Sequence, residues 1–321
     1  MLSLILFVLG IILLIKGADV LVDGSSALAK RFKVPTIVIG LTIVAFGTSM
    51  PELIVNVMAA ISGNGAIAFG NVIGSNLANI LLILGVAACI TNIKVKKSTI
   101  WKEIPFSLLA VLVLFIFMNT QFFDNLGGTT ISRSNGLILL LFFVIFLYYV
   151  VELSRRKQNN VEAEEIVIKK LSTLKIFVYI VGGLVALFFG GKWTVEGAVM
   201  VARWLGMSEY FISLTIVAVG TSLPELVTTI IAARKKNMDL AVGNIVGSNI
   251  FNIFWILGLS ALITPIIIPA FALYDVIVLC GTTFLLFIFM FINKRHELER
   301  WQGIIFLLIY IGYVYHLLIR G

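Results

Sequence analysis

The chain has 321 residues, 60% of them apolar and only 12% charged, and its mean hydropathy is +1.10. That excludes an ordinary soluble domain, which needs many more charges to cover its surface. The net charge of +8 would suit nucleic acid in a soluble protein, but in an apolar chain Lys and Arg mark cytoplasmic loops.

Ten apolar runs follow along the chain, at about 2–23, 36–61, 67–91, 102–119, 136–152, 175–201, 210–233, 239–263, 270–293 and 301–319. Each is near the length a helix needs to cross the hydrocarbon core, about 20 residues. The first run has no basic start and no clear cleavage site, so it reads as a membrane helix and not a signal peptide. No organellar presequence is evident, which fits a prokaryotic plasma membrane. Lys16, Asp19 and Asp23 in the first run, and Lys192 and Glu196 in the sixth, are expected toward helix ends, snorkelling to the interface. Cys89 and Cys280 fall inside apolar runs and read as structural thiols. His296 and His316 read as surface residues. The polar stretch 153–174 is too short for a folded domain and reads as a cytoplasmic linker between a first half, 1–152, and a second, 175–321.

With the N-terminus outside, the five inside loops carry three, four, six, three and three cations, against Arg133, Arg203 and Arg320 outside. That asymmetry predicts both termini outside after ten crossings.

Shifted by 173 positions, the sequence matches itself. Gly17–Gly85 aligns with Gly190–Gly258 without a gap; LTIVAFGTSMPEL at 41–53 answers LTIVAVGTSLPEL at 214–226, and GNVIGSNLAN at 70–79 answers GNIVGSNIFN at 243–252. Each half holds five helices. An odd number sends the second half in from the opposite side, so the fold expected is all-α, ten transmembrane helices as two inverted five-helix repeats. Transporters of that design bind substrate near the midplane, where interrupted helices meet.

The repeated segment carries chemistry. Glu52 and Glu225 lie mid-helix, where a charged side chain costs roughly 2.5–3.5 kcal/mol to insert. Pro51 and Pro224 cannot bond to the carbonyls of Gly47 and Gly220, so the helices should break and free backbone oxygens around Ala45–Thr48 and Ala218–Thr221. Thr48, Glu52 and Asn56 are spaced by four, as are Thr221, Glu225 and Thr229; Ser75 with Asn79 and Ser248 with Asn252 keep that spacing in the next run. Such an all-oxygen set suits hard cations such as calcium and sodium, and two carboxylates neutralise one divalent ion. Gly70, Gly74, Gly243 and Gly247 read as packing residues. Asn76 and Asn249 read equally as ligands or as interhelical hydrogen-bonders. No catalytic dyad, metal-protease motif or phosphate loop points to an enzyme.

At these residues the chain resembles the cation/calcium exchanger superfamily, in particular its prokaryotic sodium/calcium exchangers: GTSMPE and GTSLPE with GNVIGSN and GNIVGSN look like that family's two alpha-repeats. The resemblance implies the sodium/calcium exchanger fold, and alternating access in which the first and sixth helices move. It implies a functional monomer without cofactor, with Na+ and Ca2+ as substrates at three sodium ions per calcium. It implies calcium shared by Glu52 and Glu225, with Thr48, Ser49, Thr221, Ser222, Ser75, Ser248, Asn79 and Asn252 and the backbone of Ala45 and Ala218 completing the sodium and calcium sites. Potassium-dependent relatives carry aspartate at the position of Asn252, so potassium dependence is not expected. A proton/calcium antiporter of the same fold is the alternative, and a cation channel a more distant one.

Overall fold

The structure is a computed structural model that describes residues 2–119, 130–155, 169, 171–206, 218–268 and 272–320. Its helices are α1 (Leu2–Phe32), α2 (Thr36–Thr48), α3 (Met50–Ile61), α4 (Gly65–Ile90), α5 (Lys97–Met118), α6 (Arg133–Arg155), α7 (Thr173–Trp204), α8 (Leu223–Arg234), α9 (Met238–Ile263), α10 (Ala272–Phe289) and α11 (Arg300–Arg320). Among the described residues, eight helices are long and apolar enough to cross a membrane, and α2 with α3, bent by 49°, passes the same test as a ninth. The start of the seventh apolar run, 207–217, lies outside the described residues, as does most of the linker, 156–168 and 170.

The 173-residue repeat extends into backbone detail. α4 and α9 each widen into π-type turns at matching positions, Ala78–Leu84 and Phe251–Leu257. Left-handed residues end matching helices: Lys33 answers Gly206, and Gly63 answers Lys236. A π-type turn inserts an extra residue and re-aims the side chains beyond it. Asn79 and Asn252 sit inside these turns, so the simple spacing of four from Ser75 and Ser248 does not set their direction.

The glycines of α1 and α7 repeat every seven residues, at Gly10, Gly17 and Gly24 and at Gly183, Gly190 and Gly197. A Cβ on Gly190 would meet Leu14 N at 2.8 Å and Gly10 O at 2.9 Å, and one on Gly17 would meet Gly183 O at 3.0 Å. Gly24 faces Tyr179 and Ile180, whereas Gly197 faces Phe7. The two helices therefore run antiparallel at backbone contact, a distance that only residues without a side chain permit. Leu14, Leu21, Ile180 and Leu187 join Ile39 and Val44 of α2, Ala232 of α8 and Leu240 and Ala241 of α9 in a second hydrophobic cluster beside the main core.

Two short antiparallel ladders tie the loops. β1 (Ile93–Lys94) pairs with β4 (Glu297–Leu298), and β2 (Thr130–Ile131) pairs with β3 (Ile266–Ile267).

One expectation is corrected. α1 runs on to Phe32 instead of stopping near residue 23, so Lys16, Asp19 and Asp23 stand well inside it. Asp19 and Asp23 are ion-paired with lysines from outside α1. Lys235, at the end of α8, places Nζ 2.7 Å from Asp19 Oδ1 and 2.6 Å from Asp23 Oδ1, and Lys169 reaches Asp23 Oδ2 at 2.7 Å. The equivalent pair on α7, Lys192 and Glu196, is exposed and 3.9 Å apart. Gly243 and Gly247 pack as expected, against Ile37 O and the Leu41 backbone. A Cβ on Gly70 or Gly74 would meet nothing within 4 Å among the described residues.

Candidate cation site

Pro51 and Pro224 sit in the first turn of α3 and α8, where a missing N–H costs nothing. The helix before each therefore ends at Thr48 and Gly220, and the next begins with its positive dipole end turned inward. The bend brings Thr48, Ser49 and Glu52 to the molecular centre. Together with their equivalents and the middle of α4 and α9, they form one buried polar cluster. Glu52 and Glu225 are each only 1% exposed.

The hydrogen bonds there come in pairs related by the repeat. Ser49 Oγ donates to Glu225 Oε1 at 3.0 Å, and Ser222 Oγ to Glu52 Oε1 at 3.3 Å. Ser75 Oγ reaches Glu52 Oε1 at 3.4 Å, and Ser248 Oγ reaches Glu225 Oε1 at 3.5 Å. Asn79 Nδ2 donates to Asn249 Oδ1 at 2.9 Å, and Asn252 Nδ2 to Asn76 Oδ1 at 3.3 Å. Ser49, Ser222, Asn79 and Asn252 thus donate across the halves while Ser75 and Ser248 donate within their own, so neither carboxylate belongs to one repeat alone. Asn76 and Asn249 act as hydrogen-bond acceptors between α4 and α9.

Once these bonds are made, Glu52 Oε2, Glu225 Oε2, Asn79 Oδ1, Asn252 Oδ1 and Asn56 Oδ1 remain buried with no hydrogen-bond partner among the described residues, against two amide nitrogens, Asn71 Nδ2 and Asn76 Nδ2, in the same state. Buried polar atoms normally find partners, and a surplus of bare acceptors is a costly arrangement without a positive charge nearby. Two carboxylate and two amide oxygens fit a hard cation. Ala45 is fully buried and its carbonyl accepts the Ser49 N–H at 3.0 Å; a second lone pair stays available. Ala218 opens the short turn before Thr221.

The surroundings are unequal. Thr48 is fully buried, whereas Thr221 borders a cavity of about 310 Å³ between α7 and α3, walled by Pro51, Ile54, Val55, Phe188, Val195 and Pro224, with Lys192 and Glu196 also on it.

The sequence reading passed over Asn71 and Asn244. Asn244 accepts from Thr48 Oγ1 at 3.1 Å, and Asn71 from Thr221 Oγ1 at 3.5 Å. Their signal was present in the repeated Gly-Asn dipeptides, but a neutral side chain one turn before Ser75 or Ser248 does not stand out without its partners.

A buried carboxylate pair at the meeting of broken, repeated helices defines a membrane protein of the cation-antiporter class. The sodium/calcium exchanger protein family matches residues 2–152 and 175–319, and the chain belongs to that family. It is 38% identical to a candidate antiporter, CaxA, of Alkalimonas amylolytica, over 98% of each chain. It is 34% identical to the sodium/calcium exchanger MaX1 of Methanosarcina acetivorans, over 97% of each. A structure of the sodium-calcium exchanger NCX_Mj soaked with Na+ and Ca2+ superposes with a TM-score of 0.82 at 34% identity, covering 98% of both chains.

Proposed function

We propose that the chain is an electrogenic, potassium-independent antiporter that exchanges Na+ for Ca2+ across the plasma membrane by alternating access. The observation that carries this is the set of partnerless buried oxygens on Glu52, Glu225, Asn79 and Asn252. Calcium is held between the two carboxylates, whose charge it matches. Sodium ions occupy the same cluster through Thr48, Ser49, Ser75, Thr221, Ser222, Ser248 and the carbonyls of Ala45 and Ala218. Three sodium ions against one calcium move one net positive charge per cycle. Asn252 supplies an amide where a carboxylate would add a charge for potassium. The names of MaX1 and NCX_Mj support sodium as the coupling ion.

Ten crossings as two inverted repeats, with both termini outside, complete the proposal. Equivalent helices α1 and α7 run antiparallel, as inversion requires. The strand ladders add a parity argument. β1 and β4 must lie on one face, and so must β2 and β3. Each pair is separated by an even number of crossings only if the partly described seventh segment also crosses. The β1–β4 face carries Lys94, Lys96, Lys97, Lys294 and Arg295, which supports the cytoplasmic side. On that reading the cavity beside Thr221 opens outward, and the α1–α7 pair, held together by its glycine contacts, moves as the gate. The site is complete within one chain, which supports a functional monomer without cofactor.

The test is calcium uptake into sodium-loaded liposomes containing the purified protein. Uptake in choline buffer that vanishes in sodium buffer, and ignores a pH gradient, supports the proposal. Uptake that follows an imposed pH gradient and ignores sodium makes the protein a proton/calcium antiporter with the same site.

A further inference from the structure

Thr48 and Thr221 each bring one hydroxyl to the cluster, and a hydroxyl has one proton and two lone pairs. It serves a cation only if the proton points elsewhere. Several acceptors compete for the Thr48 proton. The Ala45 carbonyl lies 3.4 Å away, and the Glu225 carboxylate is also within its reach. A proton given to either would occupy a second oxygen that the ion needs. Asn244 Oδ1, at 3.1 Å, offers an acceptor outside that set.

The orientation of the Asn244 amide follows from its other contacts. One side faces the Glu225 backbone carbonyl at 3.4 Å and Thr229 Oγ1 at 3.0 Å. A carbonyl oxygen can only accept, so that side carries the NH2 group and the amide oxygen faces Thr48. In the second half the Thr221 hydroxyl, within reach of the Glu52 carboxylate, has Asn71 Oδ1, the repeat equivalent of Asn244, at 3.5 Å, although the Asn71 NH2 group has no partner among the described residues that would fix its orientation.

We infer that Asn244 and Asn71 are positioning residues that draw the Thr48 and Thr221 hydroxyl protons away from the site, so that both threonine oxygens face the transported ion with free lone pairs. This rests on the reading of the cluster as the cation site. Asn244 and Asn71 touch no ion themselves; they act through the threonines.

The test is a double-mutant cycle on calcium transport in liposomes, paired with calcium binding to the detergent-purified protein by calorimetry. Thr48→Val removes the hydroxyl and Asn244→Leu removes its acceptor in nearly the same shape. Each single variant should raise the calcium KM and Kd about tenfold, the worth of one hydrogen bond to a charged group, with kcat within about twofold. The double variant should be no worse than the weaker single, because Asn244 has nothing to position once the hydroxyl is gone. Independent, multiplying effects would overturn the inference, and so would a loss of kcat at unchanged KM. If Thr48→Val leaves KM and Kd unchanged, the cation-site reading fails, and this outcome is distinct from an Asn244→Leu variant that has no effect while Thr48→Val does. Should Asn244→Leu not yield monodisperse protein, the cycle of Thr221→Val with Asn71→Leu decides on the same criteria, since Asn71 makes a single long contact.

Discussion

Replacing Glu225 by glutamine keeps the size and one oxygen of the side chain but removes a charge from a site that has only two. Two unit charges 4 Å apart at an effective permittivity near 20 interact by about 4 kcal/mol, and a divalent ion doubles that. Taking the smaller figure to allow for solvent and for the oxygen retained, Glu225→Gln should weaken calcium binding roughly a thousandfold. The ion-free protein should respond in the opposite sense, because a buried, partnerless carboxylate oxygen no longer faces a second carboxylate. Thermal unfolding in detergent reads both effects. At free calcium of a hundred times its Kd, the wild type gains about 2.7 kcal/mol of stability from binding, whereas at the same calcium the variant gains about 0.1 kcal/mol. The expected record is a Glu225→Gln protein that melts at or above the wild-type temperature without ions, is indifferent to calcium, and takes up no calcium in sodium-loaded liposomes. Calcium flux at wild-type KM, or a wild-type calcium-dependent rise in Tm, would refute the shared-carboxylate site.

Removing potassium from both sides of the liposome should leave sodium-driven calcium uptake unchanged; a strict requirement would mean that the Asn252 amide has been misread. With one net charge leaving per calcium that enters, an inside-positive potential of about 60 mV should raise the limiting calcium gradient about tenfold, measured as accumulated calcium under a potassium diffusion potential. Gly190→Val should stop exchange, since its added atoms meet the Leu14 N and Gly10 O backbone positions and force α1 from α7; flux near wild type would show that the contact is not required. Lys235→Met removes the ion pair of Asp19 and one of the two on Asp23, leaving Lys169 on Asp23, and should lower stability by about 1 kcal/mol, after allowance for solvent screening, read as a fall in Tm that Asp19→Asn partly restores.

Much of this protein is legible in the chain itself. Apolar runs identify membrane segments because hydrocarbon imposes both their length and their composition. The self-match at an offset of 173 residues and an acid in each copy point to the candidate cation site without coordinates, since an uncompensated carboxylate survives at membrane depth only where it has work. Pro51 and Pro224 place the break, because a missing N–H is a local covalent property.

Other features needed the tertiary structure. That α1 reaches Phe32 was hidden because Ser25, Ser26, Lys30 and Arg31 lower the hydropathy of its last turns without ending the helix. The binding of Asp19 and Asp23 by Lys235 joins residues more than two hundred positions apart, a relation no local pattern carries. The π-type turns at Ala78–Leu84 and Phe251–Leu257 change which way Asn79 and Asn252 point, and they leave no mark in helical spacing. Asn71 and Asn244 gained a role only when Thr221 and Thr48 came within hydrogen-bonding distance. Residue types and spacing determine what each segment can do alone; which oxygen is left without a proton depends on every neighbour that folding brings to it.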